Sequence, residues 1–179
     1  MTVLNGLGAA VLGGEDRAQV VAAVKAHLRA SIGDEDALIV ATAESALGVA
    51  EQFLGQVLIA RAVSAVVEAG RGWQVLPVGT VRAITSVTAV GTALPVADYG
   101  VDVDAQGLGW VRVGRRASVI AQAGVSADWA GLPAAVRHGV VMLAAHLFED
   151  RDGAKPVPAA VTALWRPFRR MTLAQAVHA

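Results

Sequence analysis

The feature that most narrows what this chain can fold into is a double change of hydrophobic period. Residues 15–56 carry apolar side chains at helical spacing, residues 57–130 turn β-rich, and residues 131–151 return to the helical pattern. A chain that leaves one period and comes back to it is α+β, with a β insertion between two helical halves.

In the first half, Glu15 and Asp16 place acids at a helix start, where they suit the macrodipole. Val20, Val21, Val24 and Leu28 then share one face. Gly33 ends this helix or the loop after it, and Asp34, Glu35 and Asp36 open a longer one. Its apolar face is Leu38, Ile39, Thr42, Ala43, Ala46, Leu47, Ala50, Phe53 and Leu54, with Glu44 and Glu51 on the other side and Gly55 as C-cap. In the middle, residues 57–67, 73–76, 81–90, 99–103, 110–113 and 118–123 are strand candidates punctuated by glycines. About five strands in a small antiparallel sheet or sandwich are expected. Along 81–90, Val81, Ala83, Thr85, Val87 and Ala89 fall on one side. After Leu132 and Pro133, a helix buries Val136, Val140, Leu143, Ala144, Leu147 and Phe148. Pro158 opens a last short helix through Trp165, which Pro167 interrupts.

The expected layout is a bundle of about four helices with an inserted small antiparallel β subdomain. Its parts are a flexible Gly-rich N-terminus (1–14), a helical hairpin (15–56), the β-rich insertion (57–130), a helix completing the bundle (131–151) and a Pro-hinged C-terminal docking tail (152–179).

Composition excludes several classes. With no cysteine there are no disulfides and no thiolate metal sites. Mean hydropathy is +0.52. Yet no run approaches the roughly 18 apolar residues of a spanning helix, so no membrane partner is expected. No basic segment leads into an apolar core near the N-terminus, so no signal peptide is expected. The apolar excess, much of it Ala and Val, fits either a GC-rich genome or surface buried between subunits. Net charge is zero but uneven. From Arg151 onward five basic residues stand against one acid, a net +4, which leaves −4 for the first 150 residues. A basic tail on an acidic body suggests an acidic partner.

Candidate chemistry is sparse. His138 and His146, two turns apart on one helix, lack both the i, i+4 spacing of zinc helices and a third ligand nearby. Asp98, Asp102 and Asp104 surround Tyr99 and can do acid–base work or bind a cation, but acids on a strand also discourage edge pairing. The Gly-rich stretches 6–14 and 107–114 lack the Gly-Lys-Ser/Thr ending of a phosphate-binding loop, and no serine has nucleophile-elbow context. No enzyme, no cofactor and no metal are expected. Arg112, Arg115 and Arg116, beside Trp110, can contact nucleic acid by stacking and phosphate pairing. The tail is the clearest candidate: Leu164, Trp165, Arg166, Phe168, Arg169, Arg170 and Met171 follow a Pro-rich joint. Arg and Trp often dominate interface energies, so this segment reads as a docking site.

The order of these pieces resembles the head–tail connector, or adaptor, proteins of long-tailed phages and related gene-transfer particles. Val24-Lys25-Ala26-His27-Leu28-Arg29 is similar to the family's opening helix. Residues 34–55 are similar to its second helix, and Asp98-Tyr99-Gly100-Val101-Asp102 to a strand of its insertion. Residues 132–151, ending Ala145-His146-Leu147-Phe148-Glu149-Asp150-Arg151, resemble its third helix, and residues 161–173 its closing tail. The resemblance spans residues 18–173. It implies a ring of twelve copies beneath the portal, in the neck of a virion or phage-like particle and assembled in the bacterial cytoplasm. It implies that the tail docks on the portal protein and that the opposite face receives a stopper or tail-completion protein. Double-stranded DNA would pass non-specifically through a channel that Arg112, Arg115 and Arg116 line or that they border as subunit contacts. The competing readings are a neighbouring stopper or tail-completion component, and a nucleic-acid-binding protein using the arginine cluster and the basic tail.

Overall fold

The computed structural model describes residues 1–29, 35–150 and 152–170. Gly33, Asp34, Arg151, Met171 and the residues after it lie outside that description. Within it the fold is α+β, with four helices and two small antiparallel sheets.

The helices are α1 (Gly14–Leu28), α2 (Asp36–Leu54), α3 (Ala134–Glu149) and α4 (Ala159–Trp165). Their apolar faces meet in one core that holds Val20, Val24, Ile39, Leu47, Leu54, Val136 and Val140. The faces read from helical spacing are buried or half-buried apart from Leu38, which was read into the apolar face of α2 and is exposed in the first turn of that helix. Gly55, at φ 71°, caps α2 in the left-handed conformation that glycine adopts at little cost. At 19 residues α2 is long and apolar enough to cross a membrane by length and composition, which corrects the expectation that no segment reaches that length. Here it is a core helix, and its three acids all form ion pairs within the chain, Asp36 with Lys25, Glu44 with Arg17 and Glu51 with Arg61.

The strands are β1 (Thr2–Leu4), β2 (Arg61–Val67), β3 (Gln74–Val75), β4 (Val81–Ala89), β5 (Thr92–Ala93), β6 (Tyr99–Val103), β7 (Gly109–Val113) and β8 (Ala117–Ala123). One sheet has the order β1-β2-β8-β4-β5 and the other β3-β7-β6. A second core lies between them, built from alternate residues such as Val63, Ala65, Val111, Val113, Val119 and Ala121. Eight strands stand against the expected five or so: all six candidate segments form strands, and the additions are the edge strands β1 and β5. Alternation along β4 also departs from expectation. Register shifts between Val81 and Ala83 and between Ile84 and Ser86 break the period, so Ala83 and Thr85 are exposed while Val81 and Val87 are buried.

Two expectations about the N-terminal third are corrected. The first 14 residues were expected to be loose, but β1 pairs with β2 and residues 6–12 lie along α2. The Gly8 N–H donates to Glu51 Oε2 at 3.1 Å and the Leu12 N–H to Glu44 Oε1 at 3.0 Å. Small residues allow this contact, since a Cβ on Gly48 would stand 2.8 Å from the Gly8 carbonyl oxygen. Glu44 and Glu51 do share a side of α2, but that side is covered. Glu51 is 0% exposed and grips the Arg61 guanidinium in a fork, Nη1 to Oε1 at 2.6 Å and Nη2 to Oε2 at 2.7 Å. With the Gly8 N–H, the Leu58 N–H at 3.0 Å brings the donors on this carboxylate to four. Arg61 spends its remaining donors on the carbonyls of Asn5 at 3.1 Å and Gly6 at 2.6 Å.

A buried, forked pair is tolerated because every carboxylate lone pair and most guanidinium N–H groups have a partner, whereas removing one partner strands a charge. Arg61→Met is therefore expected to cost about 3–5 kcal/mol in urea unfolding. Adding Glu51→Gln to it should restore part of that loss; no recovery in the double variant would show that the charge is not what matters.

Candidate functional site

The C-terminal segment is the first candidate. Pro158 precedes α4, and Arg166–Phe168 continue it as one 3-10 turn containing Pro167, as the sequence predicts. The segment is the closing layer of the body up to Arg170. Trp165 is 1% exposed. Its indole lies on Gly139, where a Cβ would sit 2.2 Å from Nε1, and Nε1 donates to the Val136 carbonyl at 3.2 Å. The Phe53 ring is 5.9 Å away. Reading Trp165 as an exposed anchor is thus corrected, because a notch in α3 draws it into the core. Leu164 and Phe168 are half-buried against the same core.

Three hydrogen bonds tie the end of the segment down. The Arg170 N–H donates to the Leu54 carbonyl at 2.9 Å, Gln56 Nε2 donates to the Phe168 carbonyl at 3.1 Å, and Arg170 Nη2 reaches the Gln106 carbonyl in the β6–β7 turn. Arg166 and Arg169 remain exposed, the latter with its guanidinium 5.4 Å from the Phe53 ring centroid. Met171 lies outside the described residues.

The outer side of the β3-β7-β6 sheet is the second candidate. The three arginines read as one basic cluster are separated here. Arg112 stacks over Trp73 at 5.3 Å, Arg115 pairs with Asp98 at 2.9 Å, and Arg116 pairs with Glu68 at 3.4 Å. A groove of about 300 Å³ lies between them, lined by Arg71, Asp98, Tyr99 and Arg112. Neither Trp73 nor Arg71 was singled out from sequence, because Trp73 meets Gly100 and Arg112 only through the pairing of β6 with β7.

The acids around Tyr99 do not form a site. Asp98 belongs to its arginine, Asp102 accepts from the next N–H, and Asp104 caps the β6–β7 turn. Asp104 Oδ1 accepts from the N–H groups of Gln106 at 3.0 Å and Leu108 at 2.8 Å, and Oδ2 accepts from Trp110 Nε1 at 2.9 Å. The indole bond first, then the Leu108 N–H, hold its carboxyl below the ordinary range. Partial removal from water opposes them, while the Gln106 N–H and the Arg170 charge add to the lowering. His138 stacks edge-on with His27, centroids 6.3 Å apart, and among the described residues no group of three metal-ligating side chains occurs.

With this geometry in view, the comparisons are specific. No family model matches the chain, and no curated protein matches it at a significant level. Solved structures do. One is a chain from the neck of an empty gene transfer agent particle solved with C6 symmetry, TM-score 0.75 at 25% identity, covering 98% of this chain and 99% of that one. A second, from the virion of a native gene transfer agent particle, has TM-score 0.74 at 24% identity over the same shares. A third, from the neck of a native particle with C12 symmetry, has TM-score 0.73 at 24% identity, again over 98% and 99%. The fold is that of a component of phage-like particle necks. The resemblance to head–tail connector proteins carried by the sequence motifs is borne out at that level.

Two outcomes follow from the contacts above. Trp165→Ala, which empties a core site, is expected to destabilise the protein by about 3–5 kcal/mol, read by thermal or urea unfolding; a loss below about 1 kcal/mol would return Trp165 to the surface. Asp104 is more acidic folded than unfolded. Its contribution is therefore present above the unfolded value of about 3.9 and lost as pH falls through the lower folded value. Asp104→Asn should flatten the acid limb of the stability–pH curve below about pH 4, and an unchanged limb would contradict the assignment.

Proposed function

We propose that this chain is the structural adaptor of a phage-like particle neck. It forms a ring under the portal, joins the DNA-filled capsid to the stopper or tail, and borders the channel through which double-stranded DNA passes. The observation that carries this reading is likeness to neck chains over nearly the whole length of both partners, in particles solved with C6 and C12 symmetry. A twelve-copy ring is compatible with both. The role is architectural rather than catalytic, and the ring is built from chains made in the bacterial cytoplasm.

The portal contact is assigned to the exposed part of the C-terminal segment. Arg166 and Arg169 stand outward on a turn whose position is fixed by Trp165 beneath it and by the Gln56 and Arg170 hydrogen bonds beside it. Leu164, Phe168 and Arg170 then support the docking surface from below, and Met171 is assigned to the same contact from the sequence alone. A rigidly held arginine loses little freedom on binding and pairs well with carboxylates. The β3-β7-β6 face suits passage of DNA better than capture. Asp98 and Asp102 stand on it beside Arg112 and Arg115, Asp98 paired with Arg115, and offset their attraction for phosphate.

Co-sedimentation of the purified chain with portal rings or filled capsids tests this. The intact protein should bind. Arg166→Glu with Arg169→Glu should lose binding by about a hundredfold, two charge reversals at a desolvated contact, with its melting curve unchanged. Failure of the intact chain to bind, with salt-dependent binding to free DNA instead, would replace the adaptor reading by a nucleic-acid-binding one.

A further inference from the structure

The β1-β2-β8-β4-β5 sheet has one face on the core and one outside. The inner set is Val63, Ala65, Val67, Ala117, Val119 and Ala121. By alternation and register the outer set includes Ala62, Val66, Ala83, Ser118, Ile120 and Gln122. In a chain with 30 charged residues, the charged residues at this outer face are two arginines near its ends, Arg82 and Arg116, and among the described residues none stands in its middle. Its hydroxyls are turned back on the sheet: Ser64 pairs with Ser118 at 3.3 Å, Thr85 donates to the Ile120 carbonyl at 3.1 Å, and Thr88 to the Ser118 carbonyl at 3.4 Å. The charges stand at its ends, with Arg116 paired to Glu68 at one end and Arg82 bonded to the Gly124 and Val125 carbonyls at the other.

The hairpin tip beside this face has the same character. Val90 is fully exposed at φ 50°, a left-handed conformation that a β-branched residue adopts only under strain. With Val66, Thr88, Ser118 and, at its rim, Arg116, it lines a shallow depression on the same face. The strain belongs to the tight Val90-Gly91 turn of the β4–β5 hairpin, and the Val90 side chain at that turn is left in water.

A second such surface lies on the helical half. The acids of α2 are all paired within the chain, which leaves its solvent stripe to Leu38, Ala41, Ser45, Val49 and Gln52. Val11, from the segment crossing α2, is also exposed. Leu38 and Val49 keep 39% and 47% of their surface in water.

A ring with rotational symmetry needs two different surfaces on each copy, one meeting the other on the next copy around the axis. We infer that these two surfaces are that pair: the α2 stripe of one copy seats on the outer face of the five-stranded sheet of its neighbour, with the Val90 tip at the edge of the contact. This rests on the ring reading proposed above and names the surfaces that build it. The occupant is a second copy because the middle of each surface lacks charge, so an acidic or basic partner finds no ion pair there. The neck chains of this fold also come from particles with six- and twelvefold rotational symmetry. In a monomer both surfaces would face water, whereas in a ring each covers the other.

The chain has no cysteine, so introduced thiols report the contact without background. The full-length protein is assembled on portal rings and treated with a short bismaleimide. Val49→Cys combined with Ile120→Cys should give a ladder of covalent multimers beyond the dimer, while either single variant should give none. Ile120→Arg and Val49→Arg should each reduce assembled mass by at least about tenfold at unchanged melting temperature. If wild type assembles but the double variant gives no ladder and both arginine variants assemble normally, this pairing of surfaces is overturned while the adaptor reading stands. Efficient dimers from Ile120→Cys alone would also overturn it, by showing a face-to-itself contact. If wild type forms no ring on the portal, both readings fall together.

Discussion

The rest of the structure depends on the closed pair formed by Glu51 and Arg61. The glutamate sits near the end of α2 in the helical core, and the arginine opens β2 at the edge of the sheet core. Their fork also gathers the Leu58 and Gly8 N–H groups and the carbonyls of Asn5 and Gly6. Three separate stretches of chain therefore converge on two side chains. A buried charge pair gives little net stability compared with apolar residues of the same size, but its geometry is demanding. Here that demand fixes where the helical half stops, where the sheet begins, and how the first residues cross between them.

The two cores differ in kind around this joint. The helical one is built on Ala, Val and Leu with two tryptophans, Trp129 and Trp165, filling its ends. The one between the sheets is almost entirely Val and Ala. Small β-branched residues pack flat strands closely but leave little volume to spare, so the turns must carry the precision. Asp104 does this for β6–β7 by taking three donors at once. Trp165 does it for the C-terminal segment by filling the notch at Gly139.

What was legible in the sequence follows from which forces act locally. Helical spacing revealed the faces of α1, α2 and α3 because burial on a helix repeats every turn, and Pro158 and Pro167 marked the last helix because proline acts on its own backbone. Glu51 was placed on the correct side of α2, but what covers that side is a Gly-rich segment with no period of its own. The ion pair was thus invisible until Arg61 and Gly8 were brought together in space. Trp165 shows the opposite failure. An aromatic among arginines has the composition of a binding hot spot and equally of a core anchor, and only Gly139, 26 positions earlier in the sequence, separates the two. On β4, alternation failed between two bulges: the first turns Ala83 and Thr85 to the outer face and the second brings Val87 and Ala89 back. The arginines of the second sheet looked like one cluster because Asp98 and Glu68, which divide them, are far away along the chain.

The three hydrogen bonds that hold residues 168–170 reach two different bodies, the end of α2 with its following loop and the β6–β7 turn. They act side by side rather than one after another. A pull on this end of the chain is consequently shared between the helical half and the second sheet, and neither can be peeled away while the other still grips. A seam loaded in this way gives abruptly and all at once, so the segment behaves mechanically less like a tether than like a latch closing one half of the molecule onto the other.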